Sequence, residues 1–148
     1  MRKLIIGIFI LLSLSCNKNK EEEITINEEL MTFVGTFVSE GEKRGLELSI
    51  DGLQANLLQE FIMDFDESVC GYGRYFDSDR QRLDILNTEH CWKNRSRLEQ
   101  ENLVYHELGH ALLGRNHVNQ TLPNEATQKS IMCTEVCNNL ALYLKMAQ

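Results

Sequence analysis

The stretch His106-Glu107-Leu108-Gly109-His110 decides how the rest of this chain is interpreted. On an α-helix, residues four apart lie on one face, so His106 and His110 can present two imidazole nitrogens to one metal ion. Glu107 then lies beside the metal, where a carboxylate can accept a proton from a water molecule that zinc has acidified to a pKa near ~7. The spacing therefore predicts a site for zinc-dependent hydrolysis.

A catalytic zinc ion needs a third protein ligand and one open coordination position. The best candidate is His117, because Gly114 can end the helix in a left-handed turn and return the chain towards the metal. We therefore expect one Zn²⁺ per chain, held by His106, His110 and His117, with Glu107 as the general base.

The residues before the motif predict that it lies on a helix. Ser96 and Glu99 have the spacing of a capping box, which marks a helix start. We expect a helix of roughly eighteen residues that ends at Gly114, since both boundaries carry the usual signals. Its apolar positions are Leu98, Leu103, Val104, Leu108, Ala111 and Leu112.

The rest of the chain predicts a small α+β domain, in which a mixed sheet with a hairpin packs on an N-terminal helix and on the metal-site helix. Apolar residues spaced by three and four over positions 26–38 predict the first helix, closed by Gly41 and Gly45. Alternation over positions 46–50 predicts a half-buried strand. Positions 53–65 fit either a helix or a strand.

Later segments complete this organisation. Positions 71–76 and 82–86 flank a polar turn and predict a hairpin whose first arm lies near the active site. Positions 134–147 predict a C-terminal helix. His90 is isolated in a loop, and we do not expect it to bind the metal.

The first residues predict export. Arg2 and Lys3 precede an apolar run over positions 4–14, which is too short to cross a bilayer because a spanning helix needs ~20 residues. Ser15 followed by Cys16 resembles the lipobox of bacterial lipoproteins, in which the signal is cleaved and the cysteine is lipidated. An ordinary secretory signal is the alternative.

These features predict a signal peptide over residues 1–15, a lipidated Cys16 with a flexible tether over residues 16–23, and one metallopeptidase domain over residues 24–148. The protein would be a membrane-anchored lipoprotein of a Gram-negative-type envelope, facing the periplasm or the cell surface. A net charge of −7 without a basic stripe argues against nucleic acid as a partner. We expect a monomer that acts on a peptide or protein substrate.

Four further cysteines suggest disulfides, because an even number in an exported domain usually pairs. Three connectivities are open, and we favour Cys70 with Cys91 and Cys133 with Cys137. Cysteine coordination of a metal would need paired short spacings such as C-x-x-C, which the sequence lacks.

The segments 106–117 and 130–132 together resemble the metzincin metallopeptidases. Those enzymes carry two zinc histidines on a helix, a glycine that ends it, a third histidine just beyond, and a methionine in a tight turn beneath the metal. The short length and lipoprotein-type start are similar to bacterial metzincin-like lipoproteins, and the resemblance covers residues 98–132. It implies a metzincin-like fold and these roles: zinc ligands His106, His110 and His117, general base Glu107 and Met-turn residue Met132.

The spacing departs from the metzincin pattern at one point. Three residues rather than two separate His110 from Gly114, so Asn116 falls where the third ligand is expected. An amide is a poor zinc ligand and a turn can absorb one extra residue, so we still expect His117 to be the ligand.

Two other interpretations of the sequence stay open. In a gluzincin-type peptidase, Glu135 would be the third ligand. In a non-catalytic, zinc-stabilised binding lipoprotein, Glu107 would have no role, since a purely structural site is closed and needs no base. The sequence also lacks the tyrosine that several metzincin families place after the Met-turn methionine; Arg115 or Tyr143 are the candidates to replace it.

Overall fold

Two helices and a four-stranded sheet share one hydrophobic core in the computed structural model of the protein, which describes residues 25–63, 65–77, 80–121, 123 and 130–134. This confirms the predicted α+β class. The elements, in chain order, are β1 (Thr25–Ile26), α1 (Glu28–Lys43), β2 (Leu53–Leu58), β3 (Gly71–Asp77), β4 (Arg80–Leu86), one π-helical turn (Glu89–Lys93) and α2 (Arg97–Ala111).

The sheet is mixed, with strand order β1-β2-β4-β3. Strands β1, β2 and β4 are parallel, and β3 pairs antiparallel with β4, which confirms the predicted hairpin. The ambiguous stretch 53–65 therefore begins as a strand, β2. Within the described residues, β3 lies at one edge of the sheet and is also the strand in closest contact with α2.

Helix α1 begins one residue after Asn27, whose side chain accepts a hydrogen bond from the Glu29 amide (3.0 Å). The apolar face expected from the sequence is buried, with Leu30 and Phe33 almost inaccessible. The expected closure at Gly41 is wrong, because the helix continues to Lys43. A left-handed residue, Gly45 (φ 77°), follows its end.

The strand predicted over positions 46–50 is also wrong, because this segment is an irregular connection between α1 and β2. The Leu46 amide donates to the Gly41 carbonyl (3.0 Å), which ties the connection to the end of the helix. Leu48 covers Gly41 so closely that a Cβ there would lie 2.5 Å from Leu48 Cδ1. The alternating apolar residues therefore cover the end of α1 instead of pairing with a strand.

The predicted capping box is present at the start of α2. The Ser96 side chain accepts a hydrogen bond from the Glu99 amide, and the Glu99 side chain accepts one from the Ser96 amide. Its fifteen residues stop three short of the predicted end at Gly114. The chain turns there because Gly114 is left-handed (φ 58°) and the next amide, that of Arg115, donates back to the Gly109 carbonyl (3.0 Å).

The predicted disulfide between Cys70 and Cys91 is present and ties the start of β3 to the π-helical turn before α2. Cys133 is also disulfide-bonded. Its predicted partner, Cys137, lies outside the described residues.

Several other predictions fall on residues outside the described ranges. They are the signal peptide over residues 1–15, Cys16 and its tether, most of the C-terminal helix, Glu135 and Tyr143. Among the described helices, none combines the length and the apolar character needed to cross a bilayer.

Candidate metal centre

The structure brings together the Nε2 atoms of the three histidines expected to bind zinc. The Nε2 atom of His106 lies 3.2 Å from that of His110 and 3.2 Å from that of His117. The remaining pair, His110 and His117, is 3.1 Å apart. Three imidazole rings thus point one nitrogen each at a common centre.

Backbone carbonyls set which nitrogen of each helical histidine faces that centre. His106 Nδ1 lies 2.7 Å from the Ile131 carbonyl, and His110 Nδ1 lies 2.6 Å from the Arg115 carbonyl. A carbonyl only accepts hydrogen bonds, so each Nδ1 carries a proton and each ring turns its other nitrogen, Nε2, inwards. This is the usual way in which a protein orients a histidine that binds a metal.

This arrangement fits a tetrahedral metal ion. Three inward lone pairs about 3 Å apart repel one another unless a cation or a proton lies between them. A tetrahedral zinc ion with Zn–N bonds of about 2.0–2.1 Å holds its nitrogen ligands about 3.3 Å apart. The observed 3.1–3.2 Å is close to that spacing. Imidazole also suits copper, iron and nickel, so the geometry alone defines a divalent-metal site.

One side of the histidine cluster is open to solvent. His106 is buried (3% exposed), whereas His110 is half-buried and His117 is exposed. A metal held here would keep a face accessible to water and to a substrate, as catalytic sites require.

His117 reaches the cluster because the chain reverses after α2. The left-handed Gly114 begins the reversal, and the Val118 amide then donates to the Met132 carbonyl. The additional residue before Gly114 is absorbed in this turn. His117, and not Asn116, therefore supplies the third converging nitrogen.

Residues 130–132 contact the metal-site helix α2 at His106 and Gly109. Met132 is buried, and its sulfur packs against Gly109, where a Cβ would overlap it. The preceding carbonyl, that of Ile131, is the one that orients His106. Met132 thus packs against Gly109, inside the metal motif, and a residue with a Cβ at position 109 would block this close approach.

Glu107, the residue after His106, is buried, with 6% of its surface exposed. Its Oε2 atom accepts a hydrogen bond from the Gly73 amide in β3 (2.7 Å). Burial raises the pKa of Glu107 to about 7, and the Gly73 hydrogen bond opposes that rise. This value suits a group that must both accept and release a proton near neutral pH.

The surroundings also lower the pKa of two of the histidines. Burial lowers the pKa of His106 to about 4, although the hydrogen bond to Ile131 acts in the opposite direction. Burial and the neighbouring His110 lower the pKa of His117. Neutral imidazole is the form that binds metal, so the fold favours the binding state.

A second group of potential metal ligands among the described residues does not form a metal site. It consists of His90, Cys70 and Cys91, whose ligand atoms lie close together. The two sulfurs are joined in a disulfide, so neither is a free thiolate. His90 is exposed and belongs to this second group, not to the three-histidine cluster.

Sequence reasoning missed three glycines that shape the site. Gly71 and Gly73 of β3 lie against Glu107, and Gly109 lies against Met132. Gly109 stands inside the motif itself, and the Gly-x-Gly pattern at the start of the hairpin was a usable signal of close approach. The carbonyls of Ile131 and Arg115 leave no trace in the sequence.

The fold and the site together define an α+β domain with three-histidine metal-binding geometry and a buried glutamate. Comparison with models of protein families, with curated proteins and with solved structures found no match.

Proposed function

We propose that this protein is a zinc-dependent endopeptidase of the metzincin type. The proposal rests mainly on the three Nε2 atoms, which converge to within 3.1–3.2 Å of one another. The residue after His106 is the buried Glu107. A purely structural zinc site has four protein ligands, whereas the described residues supply three histidines here and leave one side open. Involvement of His117 also favours the metzincin over the gluzincin alternative.

In this proposal His106, His110 and His117 hold the zinc ion. When bound, zinc lowers the pKa of a water ligand and polarises the carbonyl of the scissile peptide bond. Glu107 accepts the proton of the attacking water and later donates it to the leaving amine, so the carboxylate returns to its starting state. Burial raises the pKa of Glu107 to about 7 in the metal-free protein, and a cation bound nearby would lower it towards its ordinary value.

The substrate would bind as an additional strand along β3. The Cys70 carbonyl accepts from the Leu86 amide (3.0 Å), so in an antiparallel ladder every second residue from Cys70 faces β4. The residues between them, Gly71, Gly73 and Tyr75, therefore turn their backbone groups to the free edge. The Gly73 amide already donates to Glu107, so an extended peptide would pair with the other backbone groups of this edge and run past Glu107.

The location of the protein is part of the same proposal. A lipidated Cys16 would anchor the domain to the membrane of a Gram-negative-type envelope through a short tether. The domain would then work as a monomer on peptides or proteins that reach that surface.

A peptide-library digest tests the activity. Zinc-loaded wild-type protein should cleave library members, and chelation of the metal should stop cleavage. Glu107→Gln should keep its zinc and lose activity by a factor on the order of 10²–10⁴, the usual contribution of general-base catalysis. Full zinc occupancy without cleavage in the wild type would reject the peptidase and favour the non-catalytic binding lipoprotein. Cleavage by Glu107→Gln at the wild-type rate would place the base elsewhere.

A further inference from the structure

The start of strand β3 crosses α2 at Glu107 with no side chain between the two elements. A Cβ atom at Gly73 would overlap the Glu107 carbonyl oxygen and lie 2.8 Å from the carbonyl carbon. A Cβ atom at Gly71 would lie 2.6 Å from both Cγ and Oε1 of the Glu107 side chain. Real Cβ atoms do not approach other atoms so closely, so both positions need glycine for this crossing.

The two glycines act on different parts of Glu107. Gly73 approaches the backbone of α2, while its amide donates to the Glu107 Oε2 atom (2.7 Å). Gly71 leaves the space that the other carboxylate oxygen, Oε1, occupies. The Gly73 amide therefore holds one carboxylate oxygen by a hydrogen bond, and the other oxygen fits into the space left by the absence of a side chain at Gly71.

The Gly73 amide is one of the donors that β3 turns towards its free edge. In an edge strand such a donor would otherwise pair with an added strand or with water. Here Glu107 occupies it, so the carboxylate is bound to the strand along which the substrate is proposed to lie.

We infer that Gly71 and Gly73 are positioning residues for the proposed reaction: they fix the Glu107 carboxylate in its productive orientation, and this role rests on the proposed peptidase function. Catalytic groups must be held within a few tenths of an ångström, and a hydrogen bond from a sheet amide is a rigid support for a side chain with three rotatable bonds. A merely structural role for Gly71 predicts a loss of stability, whereas a positioning role predicts a loss of turnover.

Gly71→Ala separates these two roles. The three atoms nearest to its new methyl group all belong to the Glu107 side chain, which can rotate, so the variant should fold. In Gly73→Ala the nearest atoms belong to the α2 backbone. The matched control is Gly35→Ala, on the exposed side of α1, because a Cβ there has no neighbour within 4 Å.

The experiment measures zinc content, kcat and KM of the full-length, zinc-loaded protein on a cleaved library peptide. Gly71→Ala should keep its zinc and KM while kcat falls at least about tenfold, part of the ~10²–10⁴ that a general base contributes. Gly35→Ala should match the wild type. In a Glu107→Gln background, Gly71→Ala should cause no further loss, because it acts through Glu107. Unchanged kcat in Gly71→Ala, or an equal further loss in the Glu107→Gln background, would overturn the inference.

A spectroscopic readout makes the inference independent of turnover. A charge-assisted hydrogen bond shifts an amide proton downfield, so the Gly73 amide resonance should move upfield in both Gly71→Ala and Glu107→Gln. If the wild type cleaves no peptide, the proposed activity fails while this shift still reports how Glu107 is held. A Gly73 resonance that is the same in wild type and Gly71→Ala would contradict the positioning role.

Discussion

Replacing Glu107 by Gln should stabilise the metal-free protein while removing its proposed activity. Glu107 is 6% exposed, and burial raises its pKa to about 7 from an ordinary 4.5. Ionising it therefore costs roughly 3 kcal/mol more in the folded protein than in the unfolded chain. Gln avoids this cost and still offers an oxygen to the Gly73 amide.

The gain should depend on pH in a defined direction. Well below pH 4.5 the carboxyl is protonated in both folded and unfolded chains, so its ionisation contributes nothing to the difference. As the pH rises from 4.5 through about 7, the free energy of unfolding of the wild type falls relative to that of Glu107→Gln. At pH 8 the difference should approach its ceiling of roughly 3 kcal/mol, a shift in Tm on the order of 10 °C.

Urea denaturation of chelator-treated protein at pH 4.5 and pH 8 measures this directly. The matched control is Glu101→Gln, a half-buried carboxylate on the same helix, whose effect should stay within about 0.5 kcal/mol at both pH values. Zinc should reduce the advantage of Glu107→Gln, since a nearby cation stabilises the carboxylate. A variant no more stable than wild type at pH 8, or equally stabilised at both pH values, would refute the reasoning.

Three further predictions concern the rest of the site. His117→Ala should weaken zinc binding by at least about 100-fold in a competition assay with a chromophoric chelator, because two histidines are a poor zinc site; unchanged affinity would exclude His117 as a ligand. Replacing Cys70 and Cys91 together by Ala should lower the free energy of unfolding by about 3 kcal/mol, since their disulfide closes a loop with a sequence separation of 21; an unchanged urea midpoint would contradict this. Met132→Ala should cost about 2–5 kcal/mol and Met132→Leu less than about 1.5 kcal/mol, because the side chain is buried against Gly109. Equal losses in the two Met132 variants would show that filling this space is not what matters.

The helical position of the metal motif was predictable because several local signals agree there. The capping box, the apolar spacing and the histidines four residues apart all specify one helix, and the structure contains it. The hairpin was predictable for a similar reason, since polar turn residues separate two strand-like runs. The return of His117 to the helix followed from one left-handed glycine, Gly114.

Other features depend on contacts that a local pattern does not specify. Positions 46–50 alternate like a strand, but they pack on the end of α1, and none of the described strands pairs with them. The same ambiguity made 53–65 undecidable, because short apolar runs satisfy either period. The carbonyls that orient His106 and His110 belong to Ile131 and Arg115, and any residue type supplies a carbonyl.

X-ray absorption at the zinc K-edge, measured on the zinc-loaded, full-length protein, tests the three-histidine site directly. We expect one zinc ion per chain with four nitrogen or oxygen neighbours at about 2.0–2.1 Å, three of them imidazoles. In His117→Ala the imidazole contribution should fall from three rings to two. A sulfur neighbour at about 2.3 Å, or an imidazole count that does not change in His117→Ala, would contradict a site built from His106, His110 and His117.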